Sequence, residues 1–133
     1  MKERLRFIRF RLDRLPSAEC RARVTLGWPD GAHFEGEARG LVSQAGELRC
    51  AAQACLLALA QAIQDPAFEL VGVKAVRAFD ATVIIVSLGL PGRSDVPRVV
   101  GSYLVGEDLP RGAALAVLNA TNRLLAKRRP PGK

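Results

Sequence analysis

One histidine and three cysteines are the residues of this 133-residue sequence best suited to ligating a metal or attacking a substrate. His33, Glu35 and Glu37 alternate as His-x-Glu-x-Glu, so on a β-strand all three point to one side and could share a metal ion. The solvated face of an antiparallel hairpin has the same alternation without any metal, and that reading is preferred: no metal ligand is assigned. Cys50 and Cys55 are five positions apart, on different faces of a helix, and read as small hydrophobes in a core. A single His leaves no nucleophile–base pair to assemble, and no Gly-rich phosphate loop is present. No catalytic residue and no cofactor are therefore expected. Asn119-Ala120-Thr121 fits a glycosylation sequon, but it falls inside a helical pattern and reads as chance.

Two arginines stand out by position. Arg49 and Arg111 both fall in the first turn of a helical segment, where a cation opposes the helix dipole. Such an arginine can hold an anionic ligand or an acidic partner beside the free N–H groups of the helix start. A salt bridge to a nearby carboxylate, Glu47 or Asp108, would satisfy it more simply.

The elements that position these residues come in two copies. Val24-Thr25-Leu26-Gly27-Trp28-Pro29 matches Val86-Ser87-Leu88-Gly89-Leu90-Pro91 at an offset of 62, and Arg49 to Ala58 matches Arg111 to Ala120 at the same offset. Between them Phe34-Glu35-Gly36 pairs with Val99-Val100-Gly101 at an offset of 65, so the register is lost and then restored. The repeats span approximately residues 4–65 and 67–128 of a single domain, followed by a basic tail over 127–133.

Each copy reads as three strands and a helix. Arg21–Trp28 and Ala32–Gly40 flank a Pro-Asp-Gly turn, with Phe34 and Ala38 on one side and the His33 to Arg39 polar series on the other. Glu69–Phe79, Thr82–Leu90 and Arg98–Val105 read as strands. The β-branched run Val83-Ile84-Ile85-Val86 predicts a central strand buried on both faces. Leu5, Phe7, Ile8, Phe10 and Leu12 alternate with a one-residue slip, as a bulged strand does. The same stretch could line a basic amphipathic helix through Leu5, Ile8, Leu12 and Leu15, and the repeat favours the strand. Leu48, Ala51, Ala52, Cys55, Leu56, Leu59, Ala62 and Ile63 follow helical spacing, and the stripe recurs 62 residues later. Asp108 is placed to cap the second helix, with Pro110 in its first turn, and Pro66 to end the first. The predicted class is α+β: a duplicated βββα unit with pseudo-two-fold symmetry, its antiparallel sheet packed against two helices.

The back of the first helix is apolar too, through Cys50, Ala54, Leu57, Ala58 and Ala60. A helix apolar nearly all round is covered on two sides, so a partner subunit or the other helix must cover the second. A homodimer is the preferred inference, with Cys50, Ala54, Leu57 and Ala58 at its interface.

Composition narrows the class. The chain is 49% hydrophobic, which argues against disorder, and no apolar stretch is long enough to span a membrane. Its N-terminus lacks the apolar region of a secretory signal, and its odd, unclustered cysteines fit a reducing, cytoplasmic setting. The net charge of +7 is uneven. Residues 1–23 carry a surplus of five positive charges, residues 123–133 another five, and the stretch between is acidic by three. A nucleic-acid domain normally carries its basic stripe on folded elements. With the surplus at the two ends, nucleic-acid binding by those segments stands as the alternative reading and not the favoured one.

Gly106-Glu107-Asp108-Leu109, running into Ala113-Ala114 and then Ala120-Thr121-Asn122-Arg123-Leu124, resembles the acidic cap, Ala-rich helix and Ala-Leu-Asn ending of the C-terminal regulatory domain of 2-isopropylmalate synthases. The resemblance implies two βββα units, a dimer, and a site for a small regulatory molecule. Asp108 and Asn122 thereby join Arg49 and Arg111 as candidate ligand- or partner-binding residues. The family's Gly-Pro-Val loop before its first helix is absent, replaced by Gly40-Leu41-Val42-Ser43-Gln44-Ala45-Gly46, and 133 residues leave no room for its catalytic barrel. Leucine binding is therefore not carried over. The expected function is a non-catalytic regulatory or interaction module, a homodimer that binds a small molecule or a protein partner.

Overall fold

In a computed structural model, which describes residues 4–63, 68–90 and 98–125, the chain folds as βββαβββα. Strands β1 (Arg6–Arg14), β2 (Glu19–Gly27) and β3 (His33–Leu41) form one antiparallel sheet in that order, followed by helix α1 (Gln44–Ala62). Strands β4 (Glu69–Ala78), β5 (Ala81–Gly89) and β6 (Val99–Val105) form a second, followed by α2 (Leu109–Leu125). The duplicated βββα unit is thus the architecture, with its six strands divided into two three-stranded sheets.

The N-terminal segment is a strand, and its slip is a bulge. The β1–β2 ladder pairs Phe7 with Leu26 and then Arg9 with Thr25, leaving Ile8 as the extra residue. The β4–β5 ladder pairs Leu70 with Leu88 and then Gly72 with Ser87, leaving Val71 extra. Leu26 and Thr25 are 62 positions from Leu88 and Ser87, so the two halves share even the site of their bulge. The hairpin turns differ. In the β1–β2 turn Ala18 alone takes a positive φ, 62°, whereas in the matching β4–β5 turn Phe79 and Asp80 take 54° and 61°, the positive pair of a tight two-residue turn.

Each helix packs on its own sheet because small residues let it approach. A side chain at Gly36 would overlap the Ala54 carbonyl and the Ala58 amide of α1, and one at Gly101 would overlap the Ala116 carbonyl and Ala120 of α2. The repeat aligns these two glycines. The core is formed by the inward faces of β2 (Cys20, Ala22, Val24, Leu26) and β5 (Ile84, Val86, Leu88) together with the helix stripes around Ala51, Cys55 and Leu59 and around Ala113, Val117 and Thr121. Thr121 is fully buried, and its hydroxyl bonds back to the Val117 and Leu118 carbonyls at 3.1 and 3.2 Å.

Two expectations need correction. The run Val83–Val86 does lie on a central strand, but only one of its faces is buried: Ile84 and Val86 are fully covered, while Ile85 is 38% exposed. The apolar back of α1 is covered inside the chain, because α1 packs against β2 and β3 on one side and touches α2 and β4 on the other. Cys50, Ala54 and Ala58 are therefore buried within the protomer and cannot reach a partner; of the four proposed interface residues, Leu57 is the exposed one. The expected Pro66 stop and the 127–133 tail lie outside the described residues.

Candidate functional site

Both helix starts are capped by side chains. Ser43 Oγ accepts the Gly46 amide at 2.9 Å, and Asp108 Oδ1 accepts the Arg111 amide at 3.2 Å. Glu47, in the first turn of α1, lies under the end of β1, where Arg14 grips it through Nε at 2.9 Å and Nη2 at 3.1 Å. That two-pronged hydrogen bond pushes the Arg14 guanidinium pKa up. Leu109 and Pro110 of the second helix start line the same depression as Ser43, Gln44 and Arg14, so the two starts meet around this ion pair.

The four residues expected to bind a ligand are each engaged separately. Arg49 is exposed and lines a cavity of about 480 Å³ beside Arg39, Ser43, Gly46 and Gln53. Arg111 lays its guanidinium over the Phe7 ring, 5.2 Å from the centroid. Asp108 is a helix cap, and Asn122 donates from Nδ2 to the Leu5 carbonyl at 3.2 Å, tying α2 to the chain start. Neither arginine takes the carboxylate expected for it, since Glu47 belongs to Arg14 and Asp108 Oδ1 to a backbone amide.

His33, Glu35 and Glu37 do share the outer face of β3, all exposed, and Glu37 is drawn to Arg23 at 3.6 Å. Among the described residues no three such side chains gather as metal ligands would. The cysteines are free and buried. Cys50 donates to the Ala38 carbonyl at 3.0 Å, and burial, reinforced by the neighbouring Cys20 thiol, pushes its pKa up to about 12. Burial pushes the Cys55 thiol up as well. Thiols held protonated in this way are poor nucleophiles.

The strongest surface features are the outer faces of the two sheets; sequence reasoning read only the polar side of β3 as a solvated face and missed the rest. On the first sheet the ladders line up Asp13–Arg21–Arg39, then Arg11–Arg23–Glu37, then Arg9–Thr25–Glu35. Asp13 accepts from Arg11 at 3.2 Å and from Arg21 at 3.5 Å, and chiefly the Arg11 bond holds its carboxyl below the usual range. On the second sheet the matching rows are Val76–Val83–Leu104, Lys74–Ile85–Ser102 and Gly72–Ser87–Val100. Leu104 is 65% exposed and Val71 41%, and Phe79 stands wholly exposed at the tip of the β4–β5 hairpin. Alternation within Val83–Val86 was the available signal, hidden because both alternate sets are apolar. Compared with protein-family models and with curated proteins, the chain matches none.

Proposed function

We propose that the chain is a non-catalytic interaction module that pairs with a second copy of itself through the outer face of its second sheet. The carrying observation is that exposed face, where Val71, Ile85 and Leu104 leave Lys74 as the one charge in its central rows. Contiguous apolar patches of this kind mark interaction sites on proteins in water. Three strands of seven to ten residues make a face roughly 30 Å by 14 Å. A two-fold axis can stack two such sheet faces about 10 Å apart. The likeness to isopropylmalate synthase regulatory domains, which implies a dimer, supports the same reading, and three free cysteines fit a reducing compartment.

Sedimentation at micromolar concentration is expected to give twice the 14.3 kDa chain mass. Ile85→Lys and Leu104→Glu place a charge on the outer face without touching the core, and each is expected to give a monomer with an unchanged circular dichroism spectrum. A wild-type monomer at tens of micromolar, or a dimer indifferent to both substitutions, overturns the proposal.

A further inference from the structure

The outer face of the first sheet carries a hollow of about 170 Å³ lined by Arg9, Arg11, Arg23, Thr25 and Glu35. Three guanidinium groups there face one carboxylate. Arg11 and Arg23 are direct cross-strand partners, a like-charge pair that costs a sheet stability unless an anion lies between. The acids of the face only partly answer them. Arg11 shares Asp13 with Arg21, and Arg23 stands 3.6 Å from Glu37, too far for a hydrogen bond. The atom concerned is its buried Nε, which has no acceptor within hydrogen-bond distance among the described residues, and Arg9 has no ion pair among them.

We propose that this hollow is a phosphate-binding site, in which Arg9, Arg11 and Arg23 hold a phosphate group. Planar guanidinium forks suit the paired oxygens of a phosphate, and the volume suits one such group. Further arginines extend the positive surface beyond it, with Arg6 along β1 and Arg21 along β2. Outward residues two apart on a strand are separated by about 6.6 Å, so a chain of phosphates could run along the strand as readily as one phosphate could occupy the hollow. The phosphate could belong to a nucleic-acid backbone or to a small metabolite.

Titration of the intact protein with pyrophosphate, followed by the arginine Nε–H signals in NMR, tests the site. The signals of Arg9, Arg11 and Arg23 are expected to move together. Arg9→Gln and Arg11→Gln should each weaken binding by about tenfold, the loss of one charge-assisted contact. Glu35→Gln should tighten it roughly threefold by removing the carboxylate that lines the hollow. Arg77→Gln, which removes an exposed charge from the other sheet, should change nothing. A single-stranded oligonucleotide that binds far more tightly than pyrophosphate, with a steep salt dependence that Arg9→Gln flattens by about one charge, identifies a nucleic acid as the source. Equal affinities identify a small phosphate compound. No shift at millimolar pyrophosphate, or Arg77→Gln weakening binding as much as Arg9→Gln, overturns the proposal.

Discussion

Arg14 and Glu47 are 33 positions apart, and their pairing joins the end of β1 to the first turn of α1. The two partners are unequal: the Glu47 side chain is 10% exposed and that of Arg14 65%. Removing the arginine strands a nearly buried carboxylate, whereas neutralising the glutamate leaves a cation free in water. Arg14→Ala is therefore expected to lower the urea midpoint more than Glu47→Gln; the reverse order would show that Glu47 is satisfied by something other than Arg14. The buried thiols weaken the fold at alkaline pH. In the folded chain burial lifts Cys50 to about 12, while an unfolded thiol ionises near ~8.5. The raised folded pKa means that the thiol's contribution is whole below about pH 8.5 and is lost as pH rises from there toward about 12. Urea midpoints are expected to fall between pH 8 and pH 10.5, and Cys50→Ala to make that fall shallower. An unchanged slope in the variant would refute the assignment. None of these partnerships is legible in the sequence, because each depends on a residue more than ten positions away.

At the scale of elements, the two glycines that face the helices are the sharpest shared feature. Added methyl groups at Gly36 or Gly101 would meet helix backbone, which cannot swing aside as a side chain can. Gly36→Ala and Gly101→Ala are each expected to cost about 1–3 kcal/mol and to lower the melting temperature by several degrees. Gly106→Ala, whose methyl would meet open space, should stay within about 0.5 kcal/mol of wild type. A neutral Gly36→Ala would show that α1 can ride higher on its sheet. These elements were largely readable beforehand. Period-two and helical spacing located six strands and two helices to within a few residues, Asp108 caps α2 as its position promised, and the slip around Ile8 is the bulge of β1. What periodicity misjudged was Val83–Val86, because a run of uniformly apolar residues does not say whether one face or two will be covered. It likewise left open what would cover the second side of α1, since the packing of α2 and β4 against that helix is a long-range event.

For the whole molecule, the two sheets present opposite chemistries from one repeated plan: arginines and glutamates outside the first, valine, isoleucine and leucine outside the second. The inward faces match where packing restricts choice most, Val24 with Val86 and Leu26 with Leu88, while the outward faces differ. The two proposed contacts, self-pairing through the apolar face and phosphate capture on the charged one, use separate surfaces. Loss of one should leave the other intact, so Leu104→Glu is expected to abolish the dimer without weakening pyrophosphate binding. The net charge of +7 also changes meaning in this setting. Its N-terminal surplus is not a free arm: Arg6, Arg9, Arg11, Arg14, Arg21 and Arg23 belong to β1 and β2, and the folded surface carries them.

The sequence by itself determined the α+β class, the repeat, the cap of the second helix and the inward stripes, because all of these are set by the spacing of residue types along a single element. It set the start of the first helix too late, since Ser43 caps α1 and Arg49 falls in its second turn. Only the tertiary structure decided that Cys50, Ala54 and Ala58 are interior, that Glu47 answers to Arg14, and that three arginines from two strands surround one hollow. The physical reason is register. Alternation tells which residues share a face, but the pairing of strands and the seating of helices tell which faces meet, and charge or apolar surface acquires a use only when neighbours distant in the chain leave it exposed.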